Sequence, residues 1–129
     1  MPQYPEIRVL YVDDEKDNLF VFQANFQRKF NIITAESPLT ALKQLDEERE
    51  RPVVVISDMR MPKMNGVQFI KKAKSKYDDI SFFIMTGFGF NPEIEEAMEA
   101  NLIDRYFTKP FNVNEIEEVI IDAWKRQAG

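Results

Sequence analysis

The 129-residue sequence contains no cysteine and no histidine. Without cysteine there is no disulfide framework, thiolate nucleophile, iron–sulfur cluster or cysteine-bound zinc. Without histidine the usual general base near neutral pH is missing, together with the commonest ligand of transition metals. Ser–His–Asp, Cys–His and HExxH chemistry are therefore excluded by composition alone. A resident metal would need oxygen ligands, which directs attention to Mg²⁺, Mn²⁺ or Ca²⁺. Long hydrophobic runs are lacking too, since Val53–Ile56 and Phe82–Met85 fall far below the ~18 residues of a membrane span. Met1–Leu10 has no apolar core of the kind a signal peptide needs. The chain reads as cytoplasmic, with no membrane partner.

What is present suits one globular domain. Hydrophobic residues make up 44% and charged residues 30%, enough for a buried core and a soluble surface. Seventeen Lys and Arg stand against 22 Asp and Glu, a net charge of −5, which argues against non-specific nucleic-acid binding.

Short β-branched or aromatic runs alternate with segments of helical period. Arg8–Val12 reads as a first strand ending at Asp13-Asp14-Glu15, followed by a helix with Leu19, Phe22 and Phe26 on one face. Ile32–Ala35 is a second strand, and Ser37-Pro38 starts a helix expected to run to Pro52. Val53–Ile56, apolar on consecutive residues, is expected to be a central parallel strand. It ends at Ser57-Asp58. A loop over Met59–Gly66 precedes a lysine-rich helix from Val67 to Tyr77, and Ile80–Met85 is a fourth strand ending at Thr86. Gly87-Phe88-Gly89-Phe90 reads as a flexible loop, and Asn91-Pro92 caps a fourth helix to about Ala100. Arg105–Thr108 is a fifth strand. Asn112 with Glu115 is expected to form a capping box for a last helix that buries Val113, Ile116, Val119, Ile120 and Ala123. Strict alternation implies an α/β domain with a doubly wound, five-stranded parallel sheet and helices on both faces.

In such a sheet, ligands bind beyond the carboxyl ends of the strands. The residues there are Asp13 and Asp14 after the first strand, Asp58 after the third, Thr86 after the fourth and Lys109 after the fifth. Each alone carries little weight, because Asp after a strand is commonly a turn former. Together they bring three carboxylates, a hydroxyl and an ammonium to one rim. Clustered carboxylates raise one another's pKa values. A divalent cation relieves that conflict, and oxygen ligands in a partly open site suit Mg²⁺, or Mn²⁺ in its place. A carboxylate is also a competent nucleophile towards phosphorus. Mg²⁺ and Lys109 would neutralise the transferring phosphoryl group while Thr86 hydrogen-bonds one of its oxygens.

At these positions the sequence resembles the receiver domain of two-component response regulators. The resemblance rests on Val12-Asp13-Asp14-Glu15, Asp58-Met59-Arg60-Met61-Pro62 with Asn65-Gly66, Thr86-Gly87 and Lys109-Pro110-Phe111, in that order. It spans about Ile7 to Trp124, so residues 1–129 read as a single receiver domain of the flavodoxin-like (βα)5 fold, either by itself or as the N-terminal part of a longer response regulator. The resemblance implies Asp58 as phosphoacceptor, Asp14 as a direct Mg²⁺ ligand, Asp13 acting mainly through water and the Arg60 carbonyl completing the protein ligands. It implies that Lys109 pairs with the phosphoryl group, with a cis bond to Pro110, and that Thr86 and Tyr106 form a switch pair. Two departures stand out. Gly87 replaces the usual alanine and should leave its loop more mobile. Tyr106 also lies nine positions after Ala97, one more than the family pattern. A weaker likeness is to receivers joined to cyclic-dinucleotide phosphodiesterase or kinase domains.

The implied partners are a sensor histidine kinase or histidine phosphotransfer protein, an output domain or effector protein, and a second copy through the fourth helix, fifth strand and fifth helix. From Asn91 to Asp122 there are nine acids and two basic residues, while Arg60 to Lys76 holds six basic residues and no acid. The acidic face, with Phe90, Met98 and Trp124 as exposed apolar points, is the expected protein-docking surface, and it disfavours direct nucleic-acid binding. An aspartate-nucleophile phosphatase would need an acid two residues after Asp58, where Arg60 stands. A flavin or nucleotide carrier would not place Asp13-Asp14-Glu15 at its phosphate loop. A receiver-like interaction domain that works without phosphorylation is the remaining alternative. Phe88, two residues after Thr86, cannot position an attacking water, so slow dephosphorylation is expected.

Overall fold

The computed structural model describes residues 1–47, 50–87, 89 and 91–128. Along the chain come β1 (Tyr4–Val12), α1 (Lys16–Phe26), β2 (Phe30–Ala35), α2 (Pro38–Glu47) and β3 (Val54–Asp58). They are followed by α3 (Gly66–Lys76), β4 (Ser81–Thr86), α4 (Pro92–Glu99), β5 (Arg105–Thr108) and α5 (Val113–Ala128). The strands form one parallel sheet in the order β2-β1-β3-β4-β5. This is the doubly wound α/β architecture expected from the alternation. Strand order reverses beside β1 and β3, so Asp13 and Asp58 emerge from neighbouring central strands.

The helices bury most of the stripes their spacing predicts; of the five residues expected for α5, Val113 and Val119 are only half-buried at the edge of the core. Leu19, Phe22 and Phe26 of α1 are buried, as are Ala41 and Leu45 of α2 and Ile116, Ile120 and Ala123 of α5. The two faces of the sheet carry separate cores. Leu10, Val12, Val55, Phe82 and Ile84 pack against α2, α3 and α4, whereas Val9, Tyr11, Ile56, Phe83 and Phe107 pack against α1 and α5. Alternation of side chains along each strand makes that division.

Several boundaries differ from expectation. β1 begins at Tyr4 rather than Arg8 and β2 at Phe30 rather than Ile32, because the Tyr4 amide donates to the Lys29 carbonyl at 2.7 Å. The Tyr4 ring then packs on Phe30 and Trp124, and the register shifts between Tyr4 and Arg8. The described part of α2 ends at Glu47, short of Pro52, and a proline disfavours helical backbone in the residue before it. Asn112 caps α5 by accepting from the Glu115 amide at 3.0 Å, but the Glu115 carboxylate is taken by Arg105 at 2.8 Å. The reciprocal capping box forms instead at Asn65 and Gln68, at the start of α3. Met98 and Trp124 are half-buried against the core rather than exposed, and Phe90 lies outside the described residues. The exposed large apolar side chains include Phe20, Val21 and Leu39, on α1 and α2.

The chain leaves α4 for β5 through a tight turn. Asn101 adopts a left-handed φ of 59°, Leu102 N–H donates to the Ala97 carbonyl at 2.9 Å and Asn101 N–H to Met98 at 3.0 Å. This Schellman turn delivers Tyr106 opposite Ile84 and Thr108 opposite Thr86.

Gly66 marks the tightest approach. A Cβ there would lie 2.5 Å from the Asp58 carbonyl oxygen and 2.7 Å from Ile84 Cδ1. Gly66→Ala is therefore expected to lower stability by about 1–3 kcal/mol, read as a shift of the urea midpoint. An unchanged midpoint would show that the loop yields without strain.

Candidate functional site

The rim at the carboxyl ends of β1, β3, β4 and β5 brings the expected polar residues together. Asp13 and Asp58 are buried and Asp14 is exposed, yet oxygens of all three carboxylates lie within 4.8 Å of one another. Lys109 Nζ stands 2.7 Å from Asp58 Oδ1 and 3.6 Å from Asp13 Oδ2. The Lys109 amide donates to the Thr86 carbonyl at 2.8 Å, and the Lys109–Pro110 bond is cis. The site opens into a cleft of about 950 Å³ lined by Asp14, Asp58, Arg60, Thr86, Gly87 and Lys109, which extends towards the start of α4.

Asp13 is held from every side. Its Oδ2 accepts from the Tyr11 hydroxyl at 2.8 Å and from Asn18 Nδ2 at 3.1 Å, and its Oδ1 accepts from the Glu15 amide at 3.0 Å. Burial and the adjacent Asp13 charge keep the Tyr11 hydroxyl protonated far above the usual tyrosine range. Tyr11 also stacks on Phe22 with centroids 4.2 Å apart. Tyr11 and Asn18 were not among the residues expected from the sequence. The available signal was spacing: Tyr11 precedes Asp13 by two positions, and residues two apart share a strand face.

Asp58 is less comfortable. Burial pushes its pKa above the usual carboxylate value; the Lys109 hydrogen bond opposes that rise, and the charge of Asp13 reinforces it. Burial alone would lower the Lys109 pKa, but the hydrogen bond to Asp58 and the charges of Asp58 and Asp13 outweigh it and hold the ammonium charged.

Thr86 is buried at the end of β4. Tyr106 is half-buried on β5, against the core that contains Ile84, Ile94 and Ile103. Phe88 lies outside the described residues. The donor set is made only of oxygens, and one ammonium faces three carboxylates. That composition fits a hard divalent cation.

The family model of the response regulator receiver domain matches residues 9–121 of the chain. Sporulation initiation phosphotransferase F of Bacillus subtilis is 30% identical over 114 residues, spanning 88% of this chain and 90% of that protein. The alkaline phosphatase synthesis transcriptional regulatory protein PhoP of the same species is 30% identical over 111 residues, which cover 84% of this chain but 45% of that protein. A crystal structure of a response regulator receiver domain protein from Clostridium thermocellum superposes with a TM-score of 0.88 at 26% identity, over 95% of this chain and 97% of that one.

The raised Asp58 pKa carries a stability consequence of definite sign. Between the ordinary carboxylate pKa and the raised one, the folded state binds more protons than the unfolded state, so stability falls as pH rises through that window. In metal-free buffer containing EDTA, Asp58→Asn is expected to melt higher than the parent at pH 7, with the gap narrowing towards pH 4. A lower melting point of the variant at pH 7 would contradict the assignment of burial as the dominant effect.

Proposed function

The chain belongs to the family of response regulator receiver domains, and from that membership we propose that Asp58 accepts a phosphoryl group from a phosphohistidine on a partner protein. The observation that supports this most directly is the pairing of a buried carboxylate with a charged lysine, Asp58 Oδ1 to Lys109 Nζ at 2.7 Å, beside two further acids. A receiver is a signalling domain rather than a conventional enzyme. The proposed chemistry is confined to its own phosphorylation and dephosphorylation.

In the proposed step an Asp58 carboxylate oxygen forms a bond to phosphorus while the bond from phosphorus to the donor's imidazole nitrogen breaks. The imidazole leaves with the bonding electron pair and takes up a proton. Lys109 is already beside the attacking group and would follow the negative charge onto the phosphoryl oxygens. Thr86, on the neighbouring strand, would donate its hydroxyl to one of those oxygens, and Tyr106 would answer by moving inward. Asp14, Asp58 and the Arg60 carbonyl would hold Mg²⁺ directly, with Asp13 acting through water. Three hydrogen-bond donors and the nearby Lys109 ammonium leave Asp13 little freedom to turn towards an ion. When bound, the cation supplies charge neutralisation for the phosphoryl oxygens.

Receivers of this family work with histidine kinases and output domains. For this chain the proposed donor is a sensor histidine kinase or a histidine phosphotransfer protein, and the proposed readout is an output domain or effector that senses α4, β5 and α5. A second copy meeting that face is a proposed alternative occupant. The acidic character of α4 and α5 favours protein partners over nucleic acid. Among the described residues no helix is long and apolar enough to cross a membrane, and the proposed place of action is the cytoplasm.

Incubation with Mg²⁺ and acetyl phosphate should add one acid-stable, base-labile phosphoryl group, seen by intact mass. EDTA or Asp58→Asn should abolish it, and Lys109→Ala should slow it by about 10²–10³-fold. Undiminished labelling of Asp58→Asn would refute the acceptor, and no labelling of the parent would favour an interaction domain that works without phosphorylation. A second measurement concerns lifetime. Phe88 offers neither an acid nor an amide for an attacking water, so Phe88→Glu is expected to shorten the life of the phosphorylated form.

A further inference from the structure

Asn65 performs two separate tasks at the start of α3. Its Oδ1 accepts from the Gln68 amide at 2.9 Å and its own amide donates to Gln68 Oε1 at 2.9 Å, which closes the capping box. An aspartate would serve that purpose equally well. The second task requires an amide: Asn65 Nδ2 donates to both carboxylate oxygens of Glu93, at 3.0 and 3.2 Å. Glu93 lies in the first turn of α4, where its backbone amide is capped by Asn91 Oδ1 at 2.8 Å. The cap of α3 and the first turn of α4, far apart in the chain, are thus joined by a forked, charge-assisted contact.

On its other side, Asn65 is anchored to the acceptor strand. The Gly66 amide donates to the Met59 carbonyl at 2.9 Å, and the Gly66 Cα lies too close to the Asp58 carbonyl to admit a Cβ. A continuous series of short contacts therefore runs from the Asp58 backbone through Gly66 and Asn65 to Glu93. At its far end stands a helix of eight residues that buries only Ile94 and Ala97. So small a buried stripe leaves the position of α4 unusually dependent on polar ties at its ends.

We propose that the Asn65–Glu93 hydrogen bond is a strut coupling the acceptor loop to α4, so that a change at Asp58 reaches α4 through it. The strut itself is independent of the phosphoacceptor reading, while its use in signalling rests on that reading. It also accounts for asparagine rather than aspartate at position 65. Aspartate there would cap α3 but repel Glu93.

Hydrogen exchange on the intact chain tests the proposal with Asn65→Asp, Glu93→Gln and the double variant. Asn65→Asp should accelerate exchange of the α4 amides by about fivefold or more while the α3 amides, still capped, keep the parental rate. Glu93→Gln retains a neutral hydrogen bond and should fall between the two. In the double variant the introduced glutamine can donate its side-chain amide to the introduced aspartate, and α4 should return to within about twofold of the parent. Unchanged α4 exchange in Asn65→Asp, equal acceleration of α3 and α4, or no recovery in the double variant would each overturn the strut. The signalling role is read by adding Mg²⁺ and acetyl phosphate. The parent's α4 should change its exchange on phosphorylation, and Asn65→Asp, labelled to the same extent, should show a markedly smaller change. A full α4 response in labelled Asn65→Asp, or none in the labelled parent, would overturn the coupling. Failure of the parent to be labelled would instead count against the phosphoacceptor reading, and the strut would still be judged on the unphosphorylated proteins.

Discussion

The arrangement of this protein turns on one electrostatic problem: three carboxylates meet at a single edge of the sheet, two of them buried. Like charges at that distance in a partly desolvated site oppose folding unless something compensates. Lys109 does so in part, reaching Asp58 at 2.7 Å and Asp13 at 3.6 Å from just past the end of β5, on the far side of β4. Hydrogen bonds do the rest for Asp13, through Tyr11, Asn18 and the Glu15 amide. Asp58 has less support and bears the residual cost as a raised pKa. A group left in that condition is predisposed to bind a cation or to change its chemical state.

The pleat of the sheet puts Asp58 and α4 on different sides. Val54, Ile56 and Phe107 face the α1–α5 core, and continuing the same alternation carries Asp58 and Lys109 to that side. Thr86 follows Met85, which faces the α1–α5 core, so it falls on the opposite side, where Tyr106 packs near Ile94 and Ala97 of α4. The two sides meet at the carboxyl edge of the sheet, where one cleft is lined by Asp58 and by Asn91 and Glu93 at the start of α4. One series of contacts in the structure links the two, around the end of β3 through Gly66, Asn65 and Glu93.

The acidic rim was legible because strand ends are marked locally. A β-branched run followed by Asp-Asp or Ser-Asp needs no tertiary information to be read as a strand meeting a polar edge. Tyr11 escaped notice because a tyrosine inside an apolar strand reads as core, and only the fold shows its hydroxyl turned to Asp13. The start of β1 was hidden by Pro5 and Glu6, which interrupt the apolar pattern. At Asn112 and Glu115 the local signal for a capping box was correct in spacing, yet Arg105 on β5 competed for the glutamate. The box at Asn65 was masked because Asn65 and Gly66 close the segment that reads as a loop, Met59–Gly66.

Order along the chain and the period of its apolar residues by themselves determined the number and sequence of elements, the parallel sheet and the convergence of Asp13, Asp14, Asp58, Thr86 and Lys109 at one edge. These follow from local interactions and from the short right-handed connections that parallel strands require. Only the tertiary structure decided which donor each carboxylate received, which face Met98 and Trp124 would bury, and that Asn65 would reach Glu93. Those outcomes depend on distances between residues far apart in sequence, and such distances are set when the whole sheet and its helices pack together.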